Sequence, residues 1–192
     1  AIYFINKCKA IIPKGDELKF DKNVLKEILN LSSMTCIQQS IMNFGILMVQ
    51  GLVNSFGSTI MAAFAAAVKI DTFAYLPVQD FGNAYSTFIA QNYGAKNYKR
   101  IKEGTKKSFA ISIIFGVIIS AVVVLMAEPL MKIFVGSNQM SVVLAGVKYL
   151  RIEGAFYFAI GCLFLLYGYY RAIKCAEMSV VLTVIFVIED FA

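Results

Sequence analysis

The sequence predicts an all-α integral membrane protein built as a polytopic helix bundle, and three observations predict it. Of the 192 residues, 59% are hydrophobic and 16% charged, against about 45–50% and about 25% in ordinary globular domains. The apolar residues gather in runs long enough to cross a bilayer, which takes about 20 helical residues. The bases, finally, alternate between the connections that join those runs. Lys7, Lys9, Lys14, Lys19, Lys22 and Lys26 precede the first run, and Lys96, Lys99, Arg100, Lys102, Lys106 and Lys107 separate the second from the third. Arg171 and Lys174 follow the fourth, so fourteen of the 18 Lys and Arg residues lie on one side. The opposite connections hold Lys132, Lys148 and Arg151, and Lys69 sits near the outer start of the second run. This positive-inside bias predicts a multi-pass protein of the plasma (inner) membrane, with segments 6–27 and 93–104 in the cytoplasm. The basic patches flank apolar runs rather than a soluble fold, so no nucleic-acid partner is expected.

Taken in order, residues 1–5 read as the tail of an earlier span, and residues 6–27 as a polar linker with a Pro-Lys-Gly-Asp turn at its middle. Span a covers about 29–56, span b about 60–92, and span c about 105–127, closed by Glu128-Pro129. Span d lies within 141–170 and opens on the charged lead KYLRIEG. Span e starts near Met178 and is partial. Spans a to d make four complete crossings. Span b would reach roughly 50 Å as a straight helix, and Pro77, which lacks an amide hydrogen, is the expected cause of a bend.

Polar residues form stripes on two spans. On span a, Ser32, Thr35, Gln39, Asn43, Gln50 and Asn54 fall within one narrow arc at 100° per residue. On span b, Thr72, Gln79, Asn83 and Ser86 form a second stripe with Asp80 beside it, while Asp71 and Tyr75 lie on a neighbouring face. Such groups are costly against lipid and face protein or water. They read as the lining of a wet cavity between spans a and b; interhelical hydrogen bonding is the competing reading. Ser108, Ser112, Gly116 and Ser120 on span c recur every four residues and read as a close-packing seam. On span d, Tyr157, Phe164 and Tyr167 share a face that serves packing or cation–π contact equally well.

Enzyme chemistry finds little support. There is no histidine, and Cys8, Cys36, Cys162 and Cys175 are far apart with no CxxC spacing, which leaves no metal-ligating pattern. No paired-acid motif or nucleophile elbow appears. No metal and no cofactor are expected.

Several segments together resemble the multidrug and toxic compound extrusion (MATE) transporters: QQSIMNFGILMVQGLVNSFGSTIMAA, AAAVKIDTFAYLPVQDFGNAYSTFIAQNYGAKNYKRIKEG, EPLMKIFVGS and YLRIEGAFYFAIGCLFLLYGYYRA. The likeness runs from about Asn30 to Val184, is strongest in AQNYGAKNYKR, and fades after Ile185, where FVIEDFA departs from the family. The resemblance implies twelve helices in two lobes forming an inverted V. Residues 1–27 would then be the end of helix 6 and the inter-lobe linker, and 28–192 the helices of the C-terminal lobe. It implies a secondary antiporter that exports organic cations or drugs in exchange for sodium ions or protons by alternating access. Its partners would be the lipid bilayer, small organic cations and the N-terminal lobe. The acids that some family branches carry in this lobe align near Gln39 and Ile160, both neutral here. The ion- or substrate-pathway residues are therefore sought among Gln39, Asn43, Gln50, Asn54, Asp71, Gln79, Asp80, Asn83 and Tyr157. A lipid-linked saccharide flippase of the same superfamily is the alternative. Its cavity would need strong positive charge, which these stripes do not carry.

Overall fold

A computed structural model describes residues 20–189. The apolar stub 1–5, Cys8, the linker up to residue 19 and the last three residues of the divergent end lie outside it. The described residues form six helices: α1 (Lys22–Asn54), α2 (Ser58–Gly94), α3 (Tyr98–Val135), α4 (Met140–Gly154), α5 (Tyr157–Ala172) and α6 (Ala176–Glu189). No strand occurs among the described residues. α1, α2 and α3 are each long and apolar enough to cross a membrane, and α4 and α5, bent by 51° at their break, pass the same test when taken as one broken span. The fold is an all-α, multi-pass membrane bundle.

The turns between helices are short and have local causes. Asp21 opens α1 by accepting from the backbone amides of Asn23 at 2.8 Å and Val24 at 3.4 Å, as an N-cap carboxylate does. Gly57, at φ 92°, carries the chain from α1 into α2. Between α2 and α3, Lys96 takes a φ of 55°, and Asn97 accepts from the amide of Arg100 at 3.2 Å. The segment AQNYGAKNYKR is thus a tight helical hairpin.

Two spans depart from the expected bounds, and a third is longer at its start. Span c does not close at Glu128-Pro129: α3 runs through Pro129 to Val135. Proline forfeits one bond to the carbonyl of Leu125, but Ala127 and Met131 on either side are fully buried and hold the turn in place. Glu128 and Lys132, one turn apart, pair at 2.6 Å there. Span d is two helices rather than one, broken between Gly154 and Tyr157. α1 begins at Lys22, inside the stretch read as linker. Pro77 lies inside α2, which continues on both sides of it as one helix.

The long helix α2 is the hub, packing against α3, α4 and α5 and more lightly against α1. One apolar cluster joins Ala66, Ala67, Ile70 and Ala74 of α2 to Val123 and Met131 of α3, Val143 and Leu150 of α4 and Tyr157 of α5. A second, nearer the α2–α3 turn, joins Tyr85 and Ile89 to Ile101 and Leu165. Between them α2 and α5 nearly touch. A Cβ on Gly168 would come within 2.7 Å of the Gly82 carbonyl oxygen, and one on Gly82 within 3.0 Å of that of Phe164. Small residues permit this approach in a medium that gives no hydrophobic drive between helices. α1 stands apart from this core and leans on α6, with Gly45 against Val187. Around the outside, Leu125 (79% exposed) and Ile133 (76%) present bare hydrocarbon, which lipid rather than water accommodates.

Candidate polar sites within the bundle

The two stripes meet where α1, α2 and α5 converge. Thr35, Gln38, Gln39 and Met42 of α1, Gln79 and Asn83 of α2, and Phe164, Tyr167 and Arg171 of α5 line a small cavity of about 40 Å³. That is room for one or two waters. Arg171 donates from Nη2 to the side-chain oxygen of Asn83 at 3.0 Å, so α5 supplies a positive charge to a wall of carboxamides. Phe164 closes one side, stacked on Tyr75 at 6.4 Å and edge-on to Tyr167 at 6.3 Å. Behind Tyr167, α6 props the wall: Ser179 donates to the Tyr167 carbonyl at 3.5 Å, and Thr183 to the Ser179 carbonyl at 2.9 Å. A wider open groove along the first turns of α1 is lined by Asn23, Lys26, Glu27 and Asn30 and holds none of the residues selected from the sequence.

Three of the selected residues, Gln39, Gln79 and Asn83, therefore share one cavity. Asn43, Gln50 and Asn54 continue along α1 as exposed side chains, and Asp80 is exposed on α2 outside the cavity lining. Asp71 and Tyr157 form a second polar centre in the middle of the bundle. The Tyr157 hydroxyl donates to Oδ1 of Asp71, and Glu153 stands at the end of α4, just before the break that Tyr157 follows. Both Asp71 and Tyr157 are buried. The aromatic face of α5 thus divides, with Tyr157 serving the acid centre and Phe164 and Tyr167 the cavity.

Three polar or charged residues of these sites were not singled out as site residues from the sequence. Gln38 lies about 60° outside the α1 arc at 100° per residue yet is buried at the cavity. Arg171 counted only as a topology-setting base. Glu153 belonged to the charged lead KYLRIEG of span d. A base or acid within one turn of a small-residue contact such as Gly168 or Gly154 was the available signal. On α3 the seam holds as packing: a Cβ on Gly161 would strike Ser112, and one on Gly116 would strike the backbone of Phe158. No group of three or more His, Cys, Asp or Glu able to hold a metal ion occurs among the described residues.

Comparison with known proteins gives consistent results. The MatE family model matches residues 32–189, a stretch that continues past Ile185, where the likeness had been read as fading. A probable multidrug resistance protein of Bacillus subtilis, YpnP, is 26% identical over 167 residues, covering 87% of this chain and 37% of that protein. The chain thus spans under two fifths of this relative's length. Among solved structures, a MATE crystal structure in complex with MaL6 superposes at a TM-score of 0.85, with 17% identity over 95% of this chain and 42% of that one. A transporter of the MOP superfamily from Pyrococcus furiosus superposes at 0.78, with 21% identity over 84% of this chain and 35% of that one. That transporter is described as having a binding pocket of reverse polarity that suggests a different function.

Proposed function

This chain belongs to the MatE family, and on that premise we propose that it forms part of the C-terminal lobe of a secondary transporter exporting drugs or other small organic cations. The transport is antiport against sodium ions or protons by alternating access, completed by an N-terminal lobe and run in the plasma membrane, with segments 6–27 and 93–104 on the cytoplasmic side. The observation that carries the reading is the convergence of Gln39, Gln79 and Asn83 on one cavity at the meeting of α1, α2 and α5. Polar groups at membrane depth persist where they line a water-filled path. A small cavity in one lobe widens when the second lobe swings against it, as alternating access requires. Asn43, Gln50 and Asn54 extend the polar track along α1, and Asp80 stands on the exposed side of α2, placed to meet a cationic substrate from the facing lobe.

The test is ethidium efflux from a dye-sensitive bacterial strain expressing the full-length transporter that contains this chain. Gln79→Ala with Asn83→Ala is expected to abolish efflux at unchanged membrane abundance. Undiminished efflux at equal abundance would remove the cavity from the pathway.

A second reading rests on Arg171. A guanidinium in the cavity wall favours an acidic group, and the structurally similar Pyrococcus furiosus transporter is described as having reversed pocket polarity. A lipid-linked saccharide with its pyrophosphate is the corresponding substrate. One base among several carboxamides is weak provision for a pyrophosphate, so export of cations ranks first. A lipid II translocation assay separates the two.

A further inference from the structure

The first turns of α3 carry Lys99, Arg100, Lys102, Lys106 and Lys107 against one acid, Glu103. All six side chains are exposed. Among the described residues the ion pairs join Glu128 to Lys132 and Glu27 to Lys174, so none neutralises these bases. A bias in the number of bases is enough to orient a membrane protein. Their placement around the helix carries more.

At 100° per residue, Lys99, Lys102 and Lys106 fall within an arc of about 60°. Ile113 and Val117, further along α3, lie in the same arc and are exposed. Arg100 and Lys107 head a neighbouring arc that continues through Ile114 and Ile118, also exposed. The buried Ile101, Ser112, Gly116 and Val123 take the opposite side, where Gly116 meets Phe158 and Ser112 meets Gly161 of α5. The outward side of α3 is thus one continuous face, with a basic head and a hydrocarbon stripe that holds no polar side chain.

The register along the axis matches a bilayer. Residues 108–127 carry no charge, and at 1.5 Å per residue they span about 30 Å, the thickness of a hydrocarbon core. Lys106 and Lys107 then stand at its edge. Lys102 and Lys99 lie roughly 8 and 12 Å beyond Lys107 along the axis, at the level of the headgroups, where long flexible stems let their ammonium groups reach back. Tyr93 and Tyr98, both exposed, meet edge-on at 6.3 Å beside them, as aromatic residues at a membrane–water boundary do. Arg100 is steadied over the Phe88 ring at 5.7 Å. A soluble polyanion would use the bases and leave the stripe bare. A lipid with a negative headgroup complements both.

We propose that this end of α3 is a docking surface for anionic phospholipid, its headgroup phosphate seated on Lys99, Lys102 and Lys106 and its acyl chains lying along Ile113 and Val117. That the lipid belongs to the cytoplasmic leaflet rests on the topology proposed above; the selectivity for negative charge does not.

The test uses the full-length transporter, freed of other tryptophans, in nanodiscs mixing phosphatidylcholine with phosphatidylglycerol. A tryptophan placed by Ile113→Trp reads lipid at the basic end through quenching by chain-brominated lipid. Leu125→Trp reads the far end of the same face, where Lys132 is already paired with Glu128. Brominated phosphatidylglycerol is expected to be favoured over brominated phosphatidylcholine about fivefold at the Ile113 reporter, the preference one base gives at an anionic surface, and not at the Leu125 reporter. Adding Lys99→Gln, Lys102→Gln and Lys106→Gln together should remove the preference, and the three matching Arg substitutions should keep it. Glu103→Gln, which removes the one acid and leaves every base in place, should raise it. Equal quenching by the two lipids at the Ile113 reporter, a preference that survives in the folded triple Gln variant, or no rise in Glu103→Gln overturns the proposal. So does a preference erased by polyglutamate at a charge concentration far below that of the lipid, which would mark an acidic protein segment as the occupant. Both leaflets of a nanodisc have the same composition and no transport is measured, so the result stands apart from the proposed topology and function.

Discussion

Arg171 and Asn83 lie 88 residues apart in sequence and are joined by a 3.0 Å hydrogen bond between α5 and α2. The bond ties the charged end of one helix to the polar stripe of another, at the wall of the α1–α2–α5 cavity. It fixes the guanidinium within that wall rather than leaving it to extend toward the membrane surface, as long basic side chains near helix ends commonly do.

Replacing Arg171 separates its charge from its geometry. Arg171→Met keeps the aliphatic packing and removes the donor. Hydrogen bonds from charged groups contribute about 1.5–3 kcal/mol when shielded, and this one is partly exposed, so a loss of about 1 kcal/mol is expected. Arg171→Lys should not restore it, because a flexible ammonium lacks the planar fork of donors. Thermal unfolding in detergent, followed by tryptophan-free far-ultraviolet circular dichroism, checks both; full recovery in the Lys variant would show that charge alone suffices.

The α3–α5 seam gives a sharper stability test. A Cβ on Gly116 would lie 2.6 Å from Cα of Phe158, against rigid backbone, whereas one on Gly51 meets nothing within 4 Å. Gly116→Ala is expected to destabilise by about 1–3 kcal/mol through overpacking. Gly51→Ala should stabilise by up to about 1 kcal/mol through helix propensity. Unfolding midpoints of the two variants in the same detergent should move in opposite directions.

Much of the bundle was legible because the bilayer imposes simple rules. Leu, Ile, Val and Phe runs of the needed length, with bases at alternate ends, mark spans without regard to packing. Pro129 misled because a proline's local cost was weighed without the buried Ala127 and Met131 that hold its turn. The break at 154–157 was illegible for a related reason. No proline marks it, and the contact beside it, from Tyr157 to Asp71, spans 86 residues of sequence. The cavity was half legible. Periodicity grouped Gln79 with Asn83 on α2 and put Gln39 on the α1 stripe, but it cannot say which helix lies opposite, so Arg171 and Gln38 were passed over. Glu153 looked like a surface charge, yet its Oε2 is shut away from solvent in the fold.

Accessibility distinguishes a wet track from interhelical bonding along α1. Asn43 and Gln50 are exposed, and Gln38 is buried at 8% exposure. In the full-length transporter, with native cysteines removed, Asn43→Cys and Gln50→Cys are expected to react with a membrane-impermeant maleimide at least about tenfold faster than Gln38→Cys, a ratio equivalent to about 1.4 kcal/mol in barrier height. Equal rates at the three positions would favour helix-to-helix bonding over a solvated path.

Asp80 carries the last prediction. It shares the exposed side of α2 with Phe73 and Leu76, one turn beyond Pro77, whose missing amide leaves the Phe73 carbonyl without its usual helical donor. An ionised carboxylate on that side is costly against hydrocarbon and is tolerated where it meets water or a facing polar surface. On the function proposed above, an opposite lobe and the space between would supply both. On the function proposed above, that charge would meet a cationic substrate on its way through. Asp80→Asn preserves shape and removes that charge. Efflux of ethidium by the full-length transporter is expected to fall about tenfold, equivalent to about 1.4 kcal/mol of lost interaction, while membrane abundance and the unfolding midpoint stay unchanged. A neutral substrate, if exported, should be moved at the original rate. Ethidium efflux that is unaltered at equal expression would take Asp80 off the pathway and leave it as a residue of the lobe surface.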